Sequence, residues 1–332
     1  MYFSVIVPVY NRRGEVRDLL RSLASQEAKD TFEVLIVEDG STEPCRDIVE
    51  DSRSELNVKY FFKANEGRSI ARNFGIERAT GEYFVFFDSD CVIPPDYFVT
   101  LKRCLESRYV DCFGGPDAAA DDFTITQKAI NFAMTSFFTT GGIRGGKRSL
   151  EKFVPRSFNM GYSRAVWEKV GGFREMFSED IDMSTRIREA HFKTELIADV
   201  PVYHKRRVNL LKFARQTYVF GLSRITLKLL YPKSLKLVHC LPAVFTIAFV
   251  VLLLLALVWN WMAALPLIAY AILLLVAALV KTRNPITAVL AVIASHVMLL
   301  SYGWGFIRAF VWKILLGHGR DEAKEIEMRR GK

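Results

Sequence analysis

The chain has 332 residues, of which 51% are hydrophobic, and a formal net charge of +9. This length allows one large or two ordinary domains, and the hydrophobic share is at the upper end for a purely soluble protein. The excess positive charge lies between Lys205 and Lys236, where no acidic residue occurs and no nucleic-acid-binding motif accompanies it. Composition therefore favours a membrane-associated protein and argues against nucleic acid as a partner.

The cysteines and the N-terminal sequence indicate in which cellular compartment the N-terminal part of the chain lies. The five cysteines form neither a CxxC pair nor a regular framework, which predicts reduced, structural thiols. The N-terminal sequence MYFSVIVPVYN lacks the basic segment and long apolar run of a signal peptide. We therefore expect roughly the first 200 residues to stay in the cytoplasm.

Short apolar runs alternate with helical periodicity in the first 90 residues. The run Phe3–Val9 suits a buried strand, and the apolar residues of Arg13–Gln26 recur with helical spacing. The next predicted elements are strands at Phe32–Val37 and Val58–Phe62, a helix over Ser69–Ala79 and a strand at Tyr83–Phe87. This alternation predicts an α/β fold with a Rossmann-like, mostly parallel sheet.

Polar residues follow three of these strands, where ligands bind in such sheets. Strand one ends in Pro8-Val9-Tyr10-Asn11, strand two in Glu38-Asp39-Gly40-Ser41 and strand four in Asp88-Ser89-Asp90. Neither GxGxxG nor GxxxxGK[ST] follows the first strand. The pattern therefore argues against a dinucleotide-binding dehydrogenase and a P-loop NTPase.

The aspartates after strands two and four are the first candidates for ligand binding. Asp88 and Asp90 offer hard oxygen ligands where a divalent cation and a diphosphate could meet, although such a pair also occurs in ordinary solvated turns. Asp39 could accept hydrogen bonds from a base or a ribose, and Gly40 permits close backbone approach. An ordinary turn is the alternative there.

Three further groups are candidates. Arg68 and Arg72 lie at positions i and i+4 of a predicted helix whose first turn could face phosphate, unless they form a solvated basic face. Glu179-Asp180 starts a predicted helix and could supply a general base, or simply cap that helix. His204 could be a metal ligand or a histidine near the membrane.

Five segments occur in an order that is similar to that of a known family. They are SVIVPVYNR at Ser4–Arg12, VEDGS at Val37–Ser41, NEGRSIARNFG from Asn65, FFDSD at Phe86–Asp90 and GGFREMFSEDIDMSTR at Gly171–Arg186. Together they resemble family 2 glycosyltransferases of the GT-A fold, over most of residues 4–190.

The resemblance implies an inverting sugar transfer from a nucleotide-diphosphate-sugar. It implies that Asp180 is the catalytic base and that Mg2+ or Mn2+ is bound by Asp88, Asp90 and His204. The residues it implies for nucleotide-sugar binding are Pro8, Tyr10, Asp39, Arg68, Arg72, Asp88, Ser89, Asp90 and Glu179. A deprotonated acceptor hydroxyl would attack opposite the leaving nucleoside diphosphate.

Two differences from the sequence motifs of other family members limit the reactions that this chain is expected to catalyse. Processive synthases of the family carry QxxRW after the base, whereas Gln216 is followed by Thr217-Tyr218-Val219-Phe220. Polyprenyl-phosphate sugar synthases share the fold, but we do not expect the GGF…ED segment in them. We therefore expect a saccharide acceptor, most simply a lipid-linked one, in cell-surface glycan synthesis. The alternatives are transfer to a polyprenyl phosphate and a catalytically silent membrane scaffold.

The C-terminal part is predicted to be an all-α membrane region. Apolar stretches at Leu241–Val258 and Met262–Val280 predict two spans, and the basic block before them predicts a cytoplasmic flank held against membrane lipids. A third stretch, Ile286–Ile307, is either re-entrant or interfacial, or it crosses against the usual charge bias.

The predicted elements and apolar stretches divide the chain into four predicted segments. They are a catalytic domain over 1–205, a basic interfacial helix or linker over 206–236, a transmembrane region of two to three spans over 237–316 and a charged tail over 317–332. The expected location is a membrane, most simply a bacterial inner membrane, with the catalytic domain on its cytoplasmic side.

Overall fold

The computed structural model describes residues 1–118, 124–140, 153–204 and 209–328. The chain divides into two compact units. The first comprises Met1–Ala120, Phe153–Lys205 and Ile326–Lys332, and the second comprises Asp121–Lys152 and Arg206–Glu325. The described residues 124–140 therefore group with the C-terminal helices.

The strands occupy the first unit and the long helices the second. The strands are β1 (Phe3–Val9), β2 (Phe32–Asp39), β3 (Val58–Lys63), β4 (Tyr83–Phe87), β5 (Cys91–Val92), β6 (Cys112–Gly114), β7 (Asp117–Ala118), β8 (Asn159–Ser163), β9 (Thr194–Leu196) and β10 (Val202–His204). The helices are α1 (Arg13–Ala24), α2 (Arg46–Asp51), α3 (Arg68–Ile76), α4 (Tyr97–Ser107), α5 (Ile125–Thr135), α6 (Phe137–Thr140), α7 (Arg164–Val170), α8 (Glu179–Glu189), α9 (Leu210–Leu230), α10 (Leu237–Val258), α11 (Leu265–Thr282), α12 (Pro285–Ala309) and α13 (Gly319–Met328).

The main sheet of the first unit has seven strands in the order β3-β2-β1-β4-β8-β6-β9. Strands β1 to β4 pair in parallel, as predicted, whereas β8 runs antiparallel to both of its neighbours. Strand β1 has the predicted bounds, and every residue of β2 is buried. Burial on both faces explains why β1 and β2 are mostly apolar, rather than alternating, in the sequence.

A second, three-stranded sheet has the order β5-β10-β7. Strand β5 begins directly after Asp90, and the backbone of its residue Cys91 pairs with His204 in antiparallel register. On the other side of β10, Val202 pairs with Asp117. This sheet therefore brings the backbones that follow β4, β6 and β9 together.

The second unit contains three segments long and apolar enough to cross a membrane: Leu237–Val258, Trp261–Thr282 and Pro285–Leu315. The third contains the continuous 25-residue helix α12. A rise of about 1.5 Å per residue makes α12 about 37 Å long, against about 30 Å for a bilayer core. Since the helix is unbroken, a re-entrant turn within α12 does not occur.

Helix α9 packs lengthwise against α12. Phe213 lies in one apolar cluster with Ala294 and Met298. Farther along α9, the Thr226 hydroxyl accepts a hydrogen bond over 2.7 Å from Lys313, which lies in the segment Phe310–Leu315 directly after α12. Helix α5 joins the same cluster through Ile130 and Ala133, which accounts for its place in this unit.

The close approach of β8 to β4 yields a stability prediction. A Cβ added at Gly161 would lie 2.8 Å from the carbonyl oxygen of Phe84 and would also meet the Phe113 ring. We expect Gly161→Ala to destabilise the protein by about 1–3 kcal/mol through overpacking. Thermal denaturation measures this change.

Gly14→Ala is the matched control. A Cβ at Gly14, in the first turn of α1, has no neighbour within 4 Å. Because alanine favours helix, this substitution should be neutral or stabilise by up to about 1 kcal/mol. Equal melting temperatures for the two variants would contradict the close packing assigned to Gly161.

Candidate active site

The carboxyl ends of β1, β2 and β4 meet at one edge of the sheet because these strands are parallel. At the end of β1, Pro8 is half-buried and Tyr10 is exposed. The backbone N–H of Asn11 donates to the Ser41 hydroxyl over 2.7 Å, and the Asn11 side-chain oxygen accepts from the Thr42 N–H over 2.8 Å. These bonds fix the ends of β1 and β2 side by side.

Asp39 at the end of β2 fixes the loop that precedes α3. Its carboxylate accepts hydrogen bonds from Lys63 Nζ at 2.8 Å and from the backbone N–H groups of Glu66 and Gly67 at 3.0 and 2.9 Å. The neighbouring Gly40 has φ +72°, and a Cβ there would lie 2.6 Å from the Asn65 nitrogen. The turn after β2 therefore requires glycine, and Asp39 already holds the chain that leads into α3.

Arg72 on α3 is the most buried cation of the site, with 1% of its side chain exposed. One guanidinium nitrogen donates to Glu179 Oε1 over 2.9 Å, and the other donates to Asp88 Oδ1 over 2.8 Å and to the Ser157 hydroxyl over 3.1 Å. Its guanidinium carbon lies 5.5 Å from the centre of the Phe173 ring. One side chain thus joins α3, the end of β4 and the start of α8.

Arg68 lies one turn earlier on the same face of α3, as predicted. It donates to Glu179 Oε2 over 2.7 Å, so both oxygens of the Glu179 carboxylate are engaged by arginines. Burial lowers the pKa of Arg68, but the charges of Glu179 and Asp88 outweigh this effect and raise it. Glu179 therefore serves the site as a buried anchor for two cations.

The Asp88-Ser89-Asp90 turn lies at the end of β4. The Asp88 side chain is 37% exposed, Ser89 is buried, and Asp90 is half-buried. The backbone of His204 pairs with that of Cys91. The side chain of His204 and residues 205–208 lie outside the described part of the chain. The turn therefore presents a reachable carboxylate at the predicted cation site.

These residues fit a divalent cation that shares its coordination with a substrate. Mg2+ and Mn2+ accept carboxylate oxygens, and Mg2+ is commonly held by one or two carboxylates together with phosphate oxygens and water. Among the described side chains, no three His, Cys, Asp or Glu residues form a group that could hold a metal ion. Asp88 and Asp90 would thus supply part of the ligand set, and a diphosphate would supply the rest.

Asp180 lies in the first turn of α8, as the sequence predicted. Its Oδ1 accepts from the Ile181 N–H over 2.8 Å, and its Oδ2 lies 3.6 Å from Arg156 Nη1. The side chain is 16% exposed, whereas that of Glu179 is 3% exposed. Of the two adjacent acids, Asp180 is the one whose carboxylate an incoming hydroxyl could reach.

Several residues that support the site were missed in the sequence analysis. The fully buried Asp182 accepts from Arg174 over 3.1 Å and from Arg186 over 2.9 Å, which fixes α8. The four-residue spacing of Asp182 and Arg186 was a signal for that pair. No local signal placed Arg156 beside Asp180 or Ser157 beside Arg72.

All five cysteines are free thiols. Burial raises the pKa of Cys91 well above its usual value, and the charges of Asp88 and Asp90 raise it further. A thiol that resists deprotonation is a poor nucleophile and a poor metal ligand. Cys91 therefore acts as a buried apolar residue beneath the turn.

The buried pairs of Asp182 give a stability prediction. Replacing Asp182 with Asn leaves two arginines without their shared carboxylate, so we expect a loss of about 3–5 kcal/mol in the free energy of unfolding. Asp47→Asn is the matched control, because Asp47 pairs with Arg13 at 2.7 Å but its side chain is 62% exposed. Denaturant titration of both variants measures the difference, and similar midpoints would contradict the anchoring role of Asp182.

The chain is similar to bacterial proteins over about a third of its length. An uncharacterized glycosyltransferase of Rickettsia conorii is 39% identical over 108 residues, which are 32% of this chain and 18% of that protein. Poly(ribitol-phosphate) beta-N-acetylglucosaminyltransferase TarS of Staphylococcus aureus is 44% identical over 114 residues, 33% of this chain and 20% of TarS. The chain thus matches only a fifth or less of the length of these relatives.

A solved structure and a family profile match larger parts of the chain. Mannosyltransferase PcManGT from Pyrobaculum calidifontis, solved in complex with GDP-Man and Mn2+, has a TM-score of 0.63 over 89% of this chain and 86% of its own, with 19% identity. This likeness shows a shared fold and confirms the expected GT-A class, with a mostly parallel sheet followed by helices. The profile of glycosyl transferase family 2 matches residues 4–171. The chain therefore belongs to glycosyl transferase family 2.

Proposed function

We propose that this protein is a membrane-associated inverting glycosyltransferase that moves a sugar from a nucleotide-sugar to a saccharide acceptor. The single observation that carries the proposal is the buried Arg72, whose ion pairs with Asp88 and Glu179 hold the Asp88-Ser89-Asp90 turn beside the start of α8. Asp180 follows Glu179 directly. A cation-binding turn and an accessible carboxylate at one sheet edge are what such a transfer requires.

The donor is a nucleoside diphosphate sugar held at the carboxyl edge of the sheet. The end of β1 at Pro8 and Tyr10, with Asp39, forms the nucleoside side of the site, and Arg68 and Ser89 lie toward the diphosphate. Mg2+ or Mn2+ would be held by Asp88 and Asp90, with His204 as a further ligand. Support comes from TarS, whose name states a transfer of N-acetylglucosamine, and from PcManGT, solved with GDP-Man and Mn2+.

Asp180 acts as the general base. Its carboxylate takes the proton of an acceptor hydroxyl as the oxygen of that hydroxyl attacks the anomeric carbon. The bond between that carbon and the diphosphate oxygen breaks, and the nucleoside diphosphate leaves with the electron pair. A bound cation would neutralise the charge that develops on the leaving group. Attack opposite the leaving group inverts the anomeric configuration.

The acceptor is a glycan, most simply one carried on a membrane lipid in cell-surface glycan synthesis. Three helical segments long enough to cross a bilayer support a membrane location. No Asp or Glu occurs between Asp199 and Asp321, and such a basic region favours contact with anionic lipid on the cytoplasmic face. We place the catalytic unit on that face, as in a bacterial inner membrane.

The same helical segments favour one alternative, transfer of the sugar directly to a polyprenyl phosphate. That product is a lipid monophosphosugar, from which mild acid releases the transferred sugar as a free monosaccharide, whereas in a glycosidic product the transferred sugar stays bonded to the acceptor glycan. Product analysis therefore separates the two acceptors. A silent scaffold, the non-enzyme alternative, predicts that Asp180→Asn leaves every phenotype intact.

If Asp180 is the general base, its substitution should lower the transfer rate without preventing donor binding. Asp180→Asn should lower the transfer rate by about 10²- to 10⁴-fold, because a carboxamide cannot accept the proton. Donor binding should persist, as measured by thermal stabilisation of the full chain by nucleotide-sugars with Mg2+ or Mn2+. Asp30→Asn is the matched control and should retain full activity, because this exposed carboxylate lies just before β2, at the opposite end of that strand from Asp39.

Two outcomes would contradict the proposal. If no nucleoside diphosphate stabilises the wild-type chain with Mg2+ or Mn2+ present, the donor assignment is wrong. If Asp180→Asn transfers sugar at the rate of Asp30→Asn, Asp180 is not the base.

A further inference from the structure

Asp88 has a partner in the ligand-free protein, although it is the predicted cation ligand. Arg72 Nη2 lies 2.8 Å from Asp88 Oδ1, which is the length of a charge-assisted hydrogen bond. The Asp88 side chain is 37% exposed, so a cation can approach from solvent, while Arg72 lies behind it with 1% exposure. Any cation that binds Asp88 therefore arrives next to a fixed positive charge.

Arg72 cannot withdraw easily from this position. Its other nitrogen donates to the buried Glu179 over 2.9 Å, and Ser157 accepts a third hydrogen bond over 3.1 Å. The Phe173 ring lies against its guanidinium. Moving Arg72 away would leave the Glu179 carboxylate buried, with Arg68 as its remaining arginine partner in the described part of the chain.

We propose that Arg72 is a positioning residue that makes cation binding at Asp88 depend on the nucleoside diphosphate. Before the donor binds, Arg72 balances the charge of Asp88 and repels a lone divalent cation. A diphosphate brings negative charge to the same edge, so a cation that arrives with it gains more attraction than Arg72 opposes. The cation and the nucleotide then bind together. This inference rests on the proposed function, since it assumes a nucleoside diphosphate donor.

The size of the effect follows from known carboxylate chemistry. An opposite charge within about 4–6 Å changes proton binding to a carboxylate by about one to three pKa units, which is at least about tenfold. A divalent cation competes for the same oxygen. Removing the Arg72 charge should therefore increase the affinity for Mn2+ alone, whereas the loss of a merely structural residue would leave that affinity unchanged or weaken it.

The test measures Mn2+ binding without catalysis. Free Mn2+ is followed by electron paramagnetic resonance as it is titrated with the full chain in detergent, with and without UDP or GDP. For the wild-type protein, we expect a nucleoside diphosphate to tighten Mn2+ binding at least about tenfold. For Arg72→Gln, Mn2+ alone should bind about tenfold tighter than to wild type, and the nucleotide should add less.

Three further variants make the result specific. The double variant Arg72→Gln/Glu179→Gln keeps the buried charges balanced if Arg72→Gln alone fails to fold, and it should show the same gain. Arg78→Gln removes an equal charge from an exposed arginine just after α3 and should show no gain. Adding Asp88→Asn to Arg72→Gln should abolish the new Mn2+ binding, which assigns it to Asp88.

The outcomes separate this inference from the proposed function. If no nucleoside diphosphate binds the wild-type chain with Mn2+, the proposed function fails. If wild type binds a nucleoside diphosphate with Mn2+, but the folded Arg72 variants bind Mn2+ alone no tighter than wild type, only the role of Arg72 is overturned. A gain of equal size in Arg78→Gln would also overturn it, because net charge would then explain the effect.

Discussion

A guanidinium buried between two carboxylates requires both carboxylates to stay in place, because an unpaired buried charge is costly. Arg72 is in this position, with Asp88 on one side and Glu179 on the other. Helix α3, strand β4 and helix α8 each contribute one member of this group. The position of Asp180 depends on it as well, since Asp180 is the next residue after Glu179 in the first turn of α8.

The sheet makes this arrangement possible. Parallel pairing of β1, β2 and β4 brings three strand ends to one edge, and the bonds of Asn11 and Asp39 fix the loops that follow two of them. Asp182 holds α8 from behind through Arg174 and Arg186. Fixed charges are surrounded by fixed backbone here, which is the condition for electrostatic preorganisation of an active site.

Local sequence patterns predicted the strands and helices. The arrangement of the site depends on contacts between residues that are distant in sequence, which such patterns do not reveal. Strand β1 was predicted to the residue because it is apolar apart from Ser4, and α3 begins one residue before its predicted start. The partner of Arg72, Glu179, lies 107 residues away, and periodicity carries no information about that distance. The antiparallel β8, NMGYS, is short and contains a glycine, so no strand pattern marked it. Family order alone placed Asp88 and Asp180 in one site.

The two units balance charge in different ways. In the first, the arginines of the site find carboxylates within the chain. In the second, Lys313 pairs with Glu322 over 2.6 Å, but the sequence between Asp199 and Asp321 has no acid, and Arg308 and Lys281 donate to the neutral hydroxyls of Tyr218 and Thr135. A neutral acceptor leaves a cation's charge uncompensated, so these cations need water or an anionic surface. A bilayer with anionic headgroups supplies such a surface, and the charge distribution therefore supports the proposed membrane association independently of helix length.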